Sequence, residues 1–185
     1  MMIDKQNAIA TTFCNLLLDY PYDKITIKSI CDQTPVNRSS FYYHFESKEK
    51  LVEWICLQDF MKYCLPYFSI HTDNISTKSF FNYIKRKKAF YLPVAKVKDG
   101  QLLQNCLAVS YAKAALFVNE YGNLTKNELR KIDSRVYHRY SAAGIASVVL
   151  FWIQQEMAIP IEDIAYDLRV MLTNSLENVR DNYLY

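Results

Sequence analysis

A short polar run followed by aromatic rings stands near the N-terminus, in the stretch VNRSSFYYHF of residues 36–45. Asparagine and arginine side chains can each make two hydrogen bonds to one base, and hydroxyl groups commonly donate to phosphates. These residue types in this order therefore predict contact with a nucleic acid.

Catalytic chemistry has much less support. His44, His71 and His138 are far apart, and the sequence contains no zinc-ligand spacing, phosphate-binding glycine loop or nucleophilic serine motif. We therefore expect no enzyme activity, no metal and no cofactor.

Two short helices joined by a tight turn would hold the polar run. Thr26 is a candidate N-cap for a helix over residues 27–33, and Asn37 can cap a second helix that ends at about His44. Between them, QTPV predicts the turn. This arrangement is a helix-turn-helix, whose second helix lies in the major groove of DNA with its early residues at the base edges.

The side chains of this unit divide into packing and contact residues. Phe41 and Phe45, four residues apart on one helix face, are expected to pack inward. Lys48 follows the candidate cap Ser47 at the start of another helix, where a cation is unfavourable unless an anion such as a phosphate lies beside it. The predicted DNA contacts are Thr26, Lys28, Asn37, Arg38, Ser39, Ser40, Tyr42, Tyr43, His44 and Lys48.

The composition predicts an all-α protein of about eight or nine helices. Hydrophobic residues make up 51% of the 185 residues, whereas there are only three glycines and five prolines to interrupt helices. The net charge is +3, but residues 1–55 carry six Lys or Arg against seven Asp or Glu. The N-terminal part therefore lacks the basic excess that is usual in nucleic-acid binders.

The cellular compartment follows from the cysteines and the apolar runs. The five cysteines have no CxxC spacing, which favours a reducing environment. Residues 1–19 lack a signal-peptide pattern, and the longest nearly apolar run, residues 142–153, is shorter than the roughly 18 residues that span a bilayer. We expect a cytoplasmic protein without membrane contact.

The segment ITIKSICDQTPVNRSSFYYHFESKEKL, residues 25–51, resembles the DNA-binding signature of the TetR family of bacterial transcriptional regulators. Pro35 stands where glycine is usual in that family, so the turn must be of a type that needs no positive φ. The matching positions are Thr26, Ile27, Ile30, Val36, Ser40, Phe41, Tyr42, His44, Phe45, Ser47, Lys48 and Leu51.

The resemblance implies a homodimer that binds double-stranded DNA at a palindromic operator, acts as a repressor and responds to a small-molecule effector. It implies a helix-turn-helix domain over residues 1–46 and a helical regulatory and dimerisation domain over residues 47–185. Candidate ligand residues on the middle helices are Phe81, Tyr83, Tyr111, Phe117, Tyr121, Tyr137 and Arg139, although ordinary packing is the simpler explanation for each one.

The resemblance also implies dimerisation through the last two helices. Residues 144–153 are apolar nearly all round, and such a helix must be covered on more than one side. The predicted interface comprises Gly144, Val148, Phe151, Trp152, Leu168, Met171 and Leu172. The alternative is that residues 144–153 form the central helix of a monomer.

A second function stays open at this point. The acidic balance of residues 1–55 and the proline in the turn are also compatible with a TetR-like interaction module. Such a module would act through a protein partner, and its DNA binding would be weak or conditional.

Overall fold

The computed structural model describes residues 4–63, 74–121 and 134–181. Within these ranges the chain forms nine α-helices, two 3-10 turns and no strand, which confirms the predicted all-α class. The helices are α1 (Lys5–Asp19), α2 (Ile27–Asp32), α3 (Arg38–His44), α4 (Lys48–Tyr63), α5 (Asn74–Arg86), α6 (Lys88–Val94), α7 (Gln101–Tyr121), α8 (Ser134–Gln154) and α9 (Ile161–Asp181), and the 3-10 turns are Tyr22–Lys24 and Val97–Gly100.

The N-terminal helices begin at the polar caps that the sequence predicts. Thr26 accepts a hydrogen bond from the Ser29 amide, and Ser29 Oγ accepts one from the Thr26 amide, which closes a reciprocal capping box at α2. Asn37 caps α3, and Ser47 Oγ accepts a hydrogen bond from the Lys50 amide in the first turn of α4. These caps supply acceptors for N–H groups that a helix start leaves without partners.

The larger part of the protein is built around α4, α7 and α8. α4 packs along α7, α8 covers another face of α7, and α9 lies against α5. Aromatic side chains fill the interior: Phe60 of α4 contacts Phe80 and Tyr111, and Phe81 packs edge-on against Trp152 with ring centres 5.0 Å apart. The predicted boundary after residue 46 falls in the loop between α3 and α4.

The segment between residues 77 and 100 differs from its sequence prediction. The apolar spacing of Phe80, Phe81 and Ile84 predicts one helix over residues 77–88. In the structure α5 spans Asn74–Arg86 and Lys88 begins α6, which contains Pro93 in its last turn. Lys98, Asp99 and Gly100 then have positive φ values of 49°, 54° and 92°. Their left-handed backbone turns the chain into α7, a conformation that only the glycine adopts without strain.

The end of α8 also differs from expectation. The sequence predicts a long helix that continues to about Met157. In the structure α8 ends at Gln154, because Glu156 and Met157 take positive φ values of 53° and 61°. Amides of these two residues donate to the carbonyls of Ile153 and Trp152, respectively, each at 2.9 Å. This is a Schellman ending formed without glycine, so the sequence carries no glycine signal for it.

Two sequence predictions lie outside the described residues. These are the break near Pro66 and the capping box at Thr125–Glu128. Among the residues that are described, no helix combines the length and the apolar character needed to cross a membrane.

Candidate nucleic-acid interface

Buried apolar side chains fix the angle between α2 and α3. Ile30 of α2 and Phe41 of α3 are fully buried, and Val36 in the turn is nearly so. Phe45 closes the unit by packing against Trp54 of α4, with ring centres 5.7 Å apart. The predicted inward packing of Phe41 and Phe45 is therefore confirmed.

The turn between α2 and α3 accommodates Pro35 without a left-handed residue. All positive φ values of the described residues lie after position 97. The Thr34 hydroxyl donates to the Ile30 carbonyl at 2.9 Å and helps to end α2. The turn is thus of a type that needs no glycine, as the proline at this position requires.

The outer face of α3 presents three polar groups without hydrogen-bond partners among the described residues. The side chain of Tyr43 is 85% exposed and that of Tyr42 is 51% exposed, and Arg38 is exposed in the first turn. The Tyr42 ring is supported edge-on by Phe41, and His44, half-buried, packs edge-on against Tyr43. These groups form an open polar surface on a rigidly anchored helix.

Other predicted contact residues already make internal hydrogen bonds. Oδ1 of Asn37 accepts from the Ser40 amide and from Ser39 Oγ, both at 2.8 Å. Bidentate pairing of Asn37 with a base would have to displace these bonds. Thr26 serves as the cap of α2, and Lys28 forms an exposed ion pair with Asp32.

Lys48 is held inside the domain by two backbone carbonyls. Its Nζ donates to the oxygens of Tyr22 and Ile25 at 2.7 and 2.8 Å, and it lies 3.9 Å from the centre of the Tyr22 ring. Burial lowers the pKa of this amine, although the charges of Asp23 and Glu49 oppose that effect. An ammonium has three donors, and the two carbonyls take two of those of Lys48.

The predicted ligand residues do not form one described site. Phe81 and Tyr111 are core residues, and the Tyr83 hydroxyl donates to the carboxylate of Asp59. Arg139 is exposed. The side chains of Phe117, Tyr121 and Tyr137 lie outside the described residues.

A cleft of about 290 Å³ lies between the 3-10 turn after α1 and the end of α6 with the residues that follow it. None of the four predicted ligand residues whose side chains the structure describes lines it. Its walls are formed by Pro21, Tyr22, Asp23, Leu92, Pro93, Lys96 and Val97.

The predicted dimer residues divide between the surface and the core. Trp152 and Leu168 belong to the protein's own core: Trp152 is fully buried and donates from its indole N–H to the Ile159 carbonyl at 2.9 Å. Burial of these two side chains within one protomer does not favour their predicted place in an interface. Sequence periodicity could not assign them, because a helix that is apolar all round does not reveal which face is covered by the same chain.

Several other predicted dimer positions are at the surface. Phe151 and Met171 are exposed, Val148 is half-buried, and the space around Gly144 is open. The side chain of Leu172 lies outside the described residues. Val136 and Tyr140, which are 63% and 71% exposed, lie at helical spacing on the same face of α8 as Gly144, Val148 and Phe151, and these five positions form an apolar stripe. Neither Val136 nor Tyr140 is among the predicted interface residues.

The N-terminal helix-turn-helix has a buried apolar interior, an exposed outer face on its second helix, and a helical domain after it. These features define the class of helix-turn-helix DNA-binding proteins. Residues 14–55 match the family profile described as bacterial regulatory proteins, tetR family. Residues 74–174, more than half of the chain, match the profile described as transcriptional regulator C-terminal region. The chain belongs to the TetR family of transcriptional regulators.

Known proteins resemble the chain to different extents. The transcriptional activator DhaS of the dhaKLM operon from Lactococcus lactis subsp. lactis (strain IL1403) is 33% identical over 55 residues, which cover 30% of this chain and 29% of DhaS. The chain thus spans under a third of that curated relative in the alignment.

Solved structures match over nearly the whole chain. The dihydroxyacetone kinase operon activator DhaS has a TM-score of 0.62 at 18% identity, covering 95% of this chain and 97% of its own. The repressor AlkX from Dietzia sp. strain DQ12-45-1b has a TM-score of 0.58 at 14% identity, with coverage of 93% and 97%. The fatty acid degradation regulator FadR from Bacillus halodurans gives 0.55 at 13%, with coverage of 93% and 96%. At these identities the likeness concerns the fold.

Proposed function

We propose that the protein is a homodimeric repressor in the cytoplasm that binds a palindromic DNA operator through α3 and is controlled by a small-molecule effector. The observation that carries the DNA-binding part is the open polar face of α3, on which Arg38, Tyr42 and Tyr43 project from a helix anchored by Phe41 and Phe45. In this geometry Arg38 reads a base edge, and the tyrosine hydroxyls bind phosphates.

The dimer follows from the apolar stripe of α8. Val136, Tyr140 and Phe151 are large exposed apolar side chains on one face, with the open position Gly144 between them. A contiguous exposed apolar face of this kind favours burial against a second copy. Two recognition helices related by a two-fold axis then match the symmetry of a palindromic site.

The sign of regulation depends on where the operator lies relative to the promoter. The relative DhaS is named an activator and the structural neighbour AlkX a repressor, so the family relationship does not decide between them. We propose repression, with release from the operator when the effector favours a dimer whose two recognition helices are wrongly spaced. A reporter gene driven by the upstream region gives the sign directly, because deletion of a repressor raises its expression.

The test of DNA binding is fluorescence anisotropy with DNA from upstream of the protein's own gene, scrambled DNA of equal length, and two salt concentrations. We expect the upstream DNA to bind more tightly, with an affinity that falls steeply as salt increases. Arg38→Ala should reduce the preference for the upstream sequence, whereas Tyr42→Phe should weaken both DNAs alike. Tyr20→Phe is the matched control, since Tyr20 is 53% exposed in the same domain but lies outside α3.

Equal and feeble binding to both DNAs would contradict this proposal. A stoichiometric protein that co-purifies with the chain would then support the interaction module instead.

A further inference from the structure

Asp59 of α4 is a buried carboxylate, and its side-chain hydrogen bonds to described residues all come from side chains outside α4. It is 6% exposed, and its oxygens accept hydrogen bonds from Tyr83 Oη at 2.7 Å and Tyr91 Oη at 2.8 Å. Lys87 Nζ reaches both oxygens at 2.9 and 2.8 Å. We call Asp59, Tyr83, Lys87 and Tyr91 the Asp59 cluster.

A buried charge in this position contributes more to geometry than to net stability. Removing a carboxylate and an ammonium from water is costly, and an apolar side chain of similar size usually fills such a site at least as favourably. An apolar contact would also tolerate sliding of α4 along its neighbours. Four directed hydrogen bonds to one carboxylate tolerate it much less, because they lose strength steeply when distance or angle changes.

The Asp59 cluster lies where two connections to the DNA-binding head meet, the head being α1 to α3. One connection is α4 itself, since its Trp54 packs against Phe45 at the end of α3. The other connection is α6, where Phe90 packs edge-on against Phe13 of α1 with ring centres 6.4 Å apart. In the chain, Phe90 stands between Lys87 and Tyr91. The centre of the Phe90 ring lies 4.9 Å from Lys87 Nζ.

We propose that Asp59 is a positioning residue for DNA binding: it ties α4 and α6 together and thereby sets the orientation of the head on the regulatory domain. The proposal rests on the DNA-binding function proposed above. The hydrogen bonds to Lys87 and Tyr91 are the ones that matter, because these residues lie on either side of the contact to α1. The bond to Tyr83 ties α4 to α5, and it does not bear on the Phe90 contact.

Two tyrosine variants provide a matched comparison. Tyr91→Phe and Tyr83→Phe each remove one hydroxyl from the same carboxylate and keep the ring. Asp59→Asn keeps the shape of the side chain and removes the charge. Glu53→Gln makes the same carboxylate-to-amide change on α4 at a more exposed position that pairs with Lys50 and Lys113.

The first measurement compares operators that share the same half-sites and differ by one or two base pairs in the gap between them. Each variant is assayed below its own unfolding temperature. We expect Tyr91→Phe and Asp59→Asn to reduce the preference for the best gap by about threefold to tenfold, the range in which coupling variants commonly act. Tyr83→Phe and Glu53→Gln should keep the wild-type preference. A loss of stability alone would lower affinity for all gaps equally, and this result would overturn the proposal.

The second measurement needs no DNA, so it separates failure of this proposal from failure of the proposed function. Amide hydrogen exchange in α1 reports how firmly the head is held. We expect the amides of α1 to exchange faster in Tyr91→Phe than in Tyr83→Phe. The two variants are compared at the same number of degrees below their own unfolding temperatures. If α1 exchanges alike in both variants and in the wild type, Asp59 does not position the head, whatever the wild type does with DNA.

Discussion

The ammonium of Lys48, at the start of α4, lies 2.7 Å from the carbonyl oxygen of Tyr22 and 3.9 Å from the centre of the same residue's ring. This contact joins α4, which follows the helix-turn-helix, to the 3-10 turn Tyr22–Lys24, which precedes the helix-turn-helix. Residues 26 positions apart in the chain thereby close the DNA-binding head into one unit.

Replacing Lys48 therefore affects both stability and DNA binding. We expect Lys48→Met to lower the free energy of unfolding by about 1 to 3 kcal/mol, because it removes two charge-assisted hydrogen bonds. We also predict that its third N–H contacts a phosphate, so the slope of log affinity against log salt should fall by about 0.9 per protomer. Chemical unfolding and anisotropy at several salt concentrations measure the two effects.

Lys50 provides the control for this prediction. It forms an exposed ion pair with Glu53, and solvent-exposed pairs of this kind contribute little to stability. An equal loss of stability in Lys50→Met and Lys48→Met would show that the two carbonyl contacts of Lys48 stabilise the protein no more than an exposed ion pair does. An unchanged salt slope in Lys48→Met would exclude the phosphate contact.

A glutamate at position 144 should dissociate the dimer without unfolding the chain. Apart from the adjoining backbone of its own helix, no described atom lies within 4 Å of a Cβ built at Gly144, so the described part of the protomer has room for a side chain there. In a dimer that buries the apolar stripe of α8, two glutamates near the two-fold axis would be desolvated and would repel each other. Analytical ultracentrifugation should find a folded monomer for Gly144→Glu.

Gln58→Glu, which adds a charge at an exposed position of α4, should leave the oligomeric state of the wild type unchanged. A Gly144→Glu protein that remains dimeric would place the interface on a different face.

Gly100 should not tolerate alanine. Its φ is +92°, and a Cβ would lie 2.8 Å from Leu150 Cδ2 and from Gln154 Nε2 of α8. Moving these side chains and straining the backbone should cost about 1 to 3 kcal/mol, the usual range for overpacking. Asp99→Gly, at a neighbouring left-handed position with φ of 54°, is the control and should change stability by less than about 1 kcal/mol. Urea unfolding measures both, and equal effects would contradict the close approach to α8.

The acid titration of Glu49 should depend on Ser47. A hydrogen bond from its own backbone amide, then one from the Ser47 side chain, holds the pKa of Glu49 below its ordinary value. A carboxyl with a lowered folded pKa stabilises the protein above the unfolded pKa, and this stabilisation is lost as pH falls through the folded value. Ser47→Ala should therefore raise the pKa of Glu49, shrink the acid-dependent part of stability and remove a helix cap worth about 1 kcal/mol.

Nuclear magnetic resonance titration of the Glu49 carboxyl in both proteins measures this shift. Identical pKa values would mean that the Ser47 hydroxyl does not contact Glu49 in solution.

Local patterns in the sequence predict the DNA-binding head well. Thr26, Asn37 and Ser47 cap the helices at which they were placed, and Phe41 and Phe45 pack inward as their four-residue spacing predicts. These features depend on residues close together in the chain, and capping and periodicity act over one or two turns. The profile matches of residues 14–55 and 74–174 confirm the family that the signature indicates.

The tertiary structure decides which apolar and charged residues face one another. It places Trp152 in the core and leaves Tyr140 exposed on the same helix, although both are aromatic residues of an apolar segment. It also gathers Asp59, Tyr83 and Tyr91 from three helices, and no spacing in the chain indicates that meeting. The amino-acid sequence by itself determines the helices of the DNA-binding head, their caps and the family, because these depend on short-range chemistry. The buried carboxylate and the open face of α8 depend on how distant helices pack, which short-range patterns do not encode.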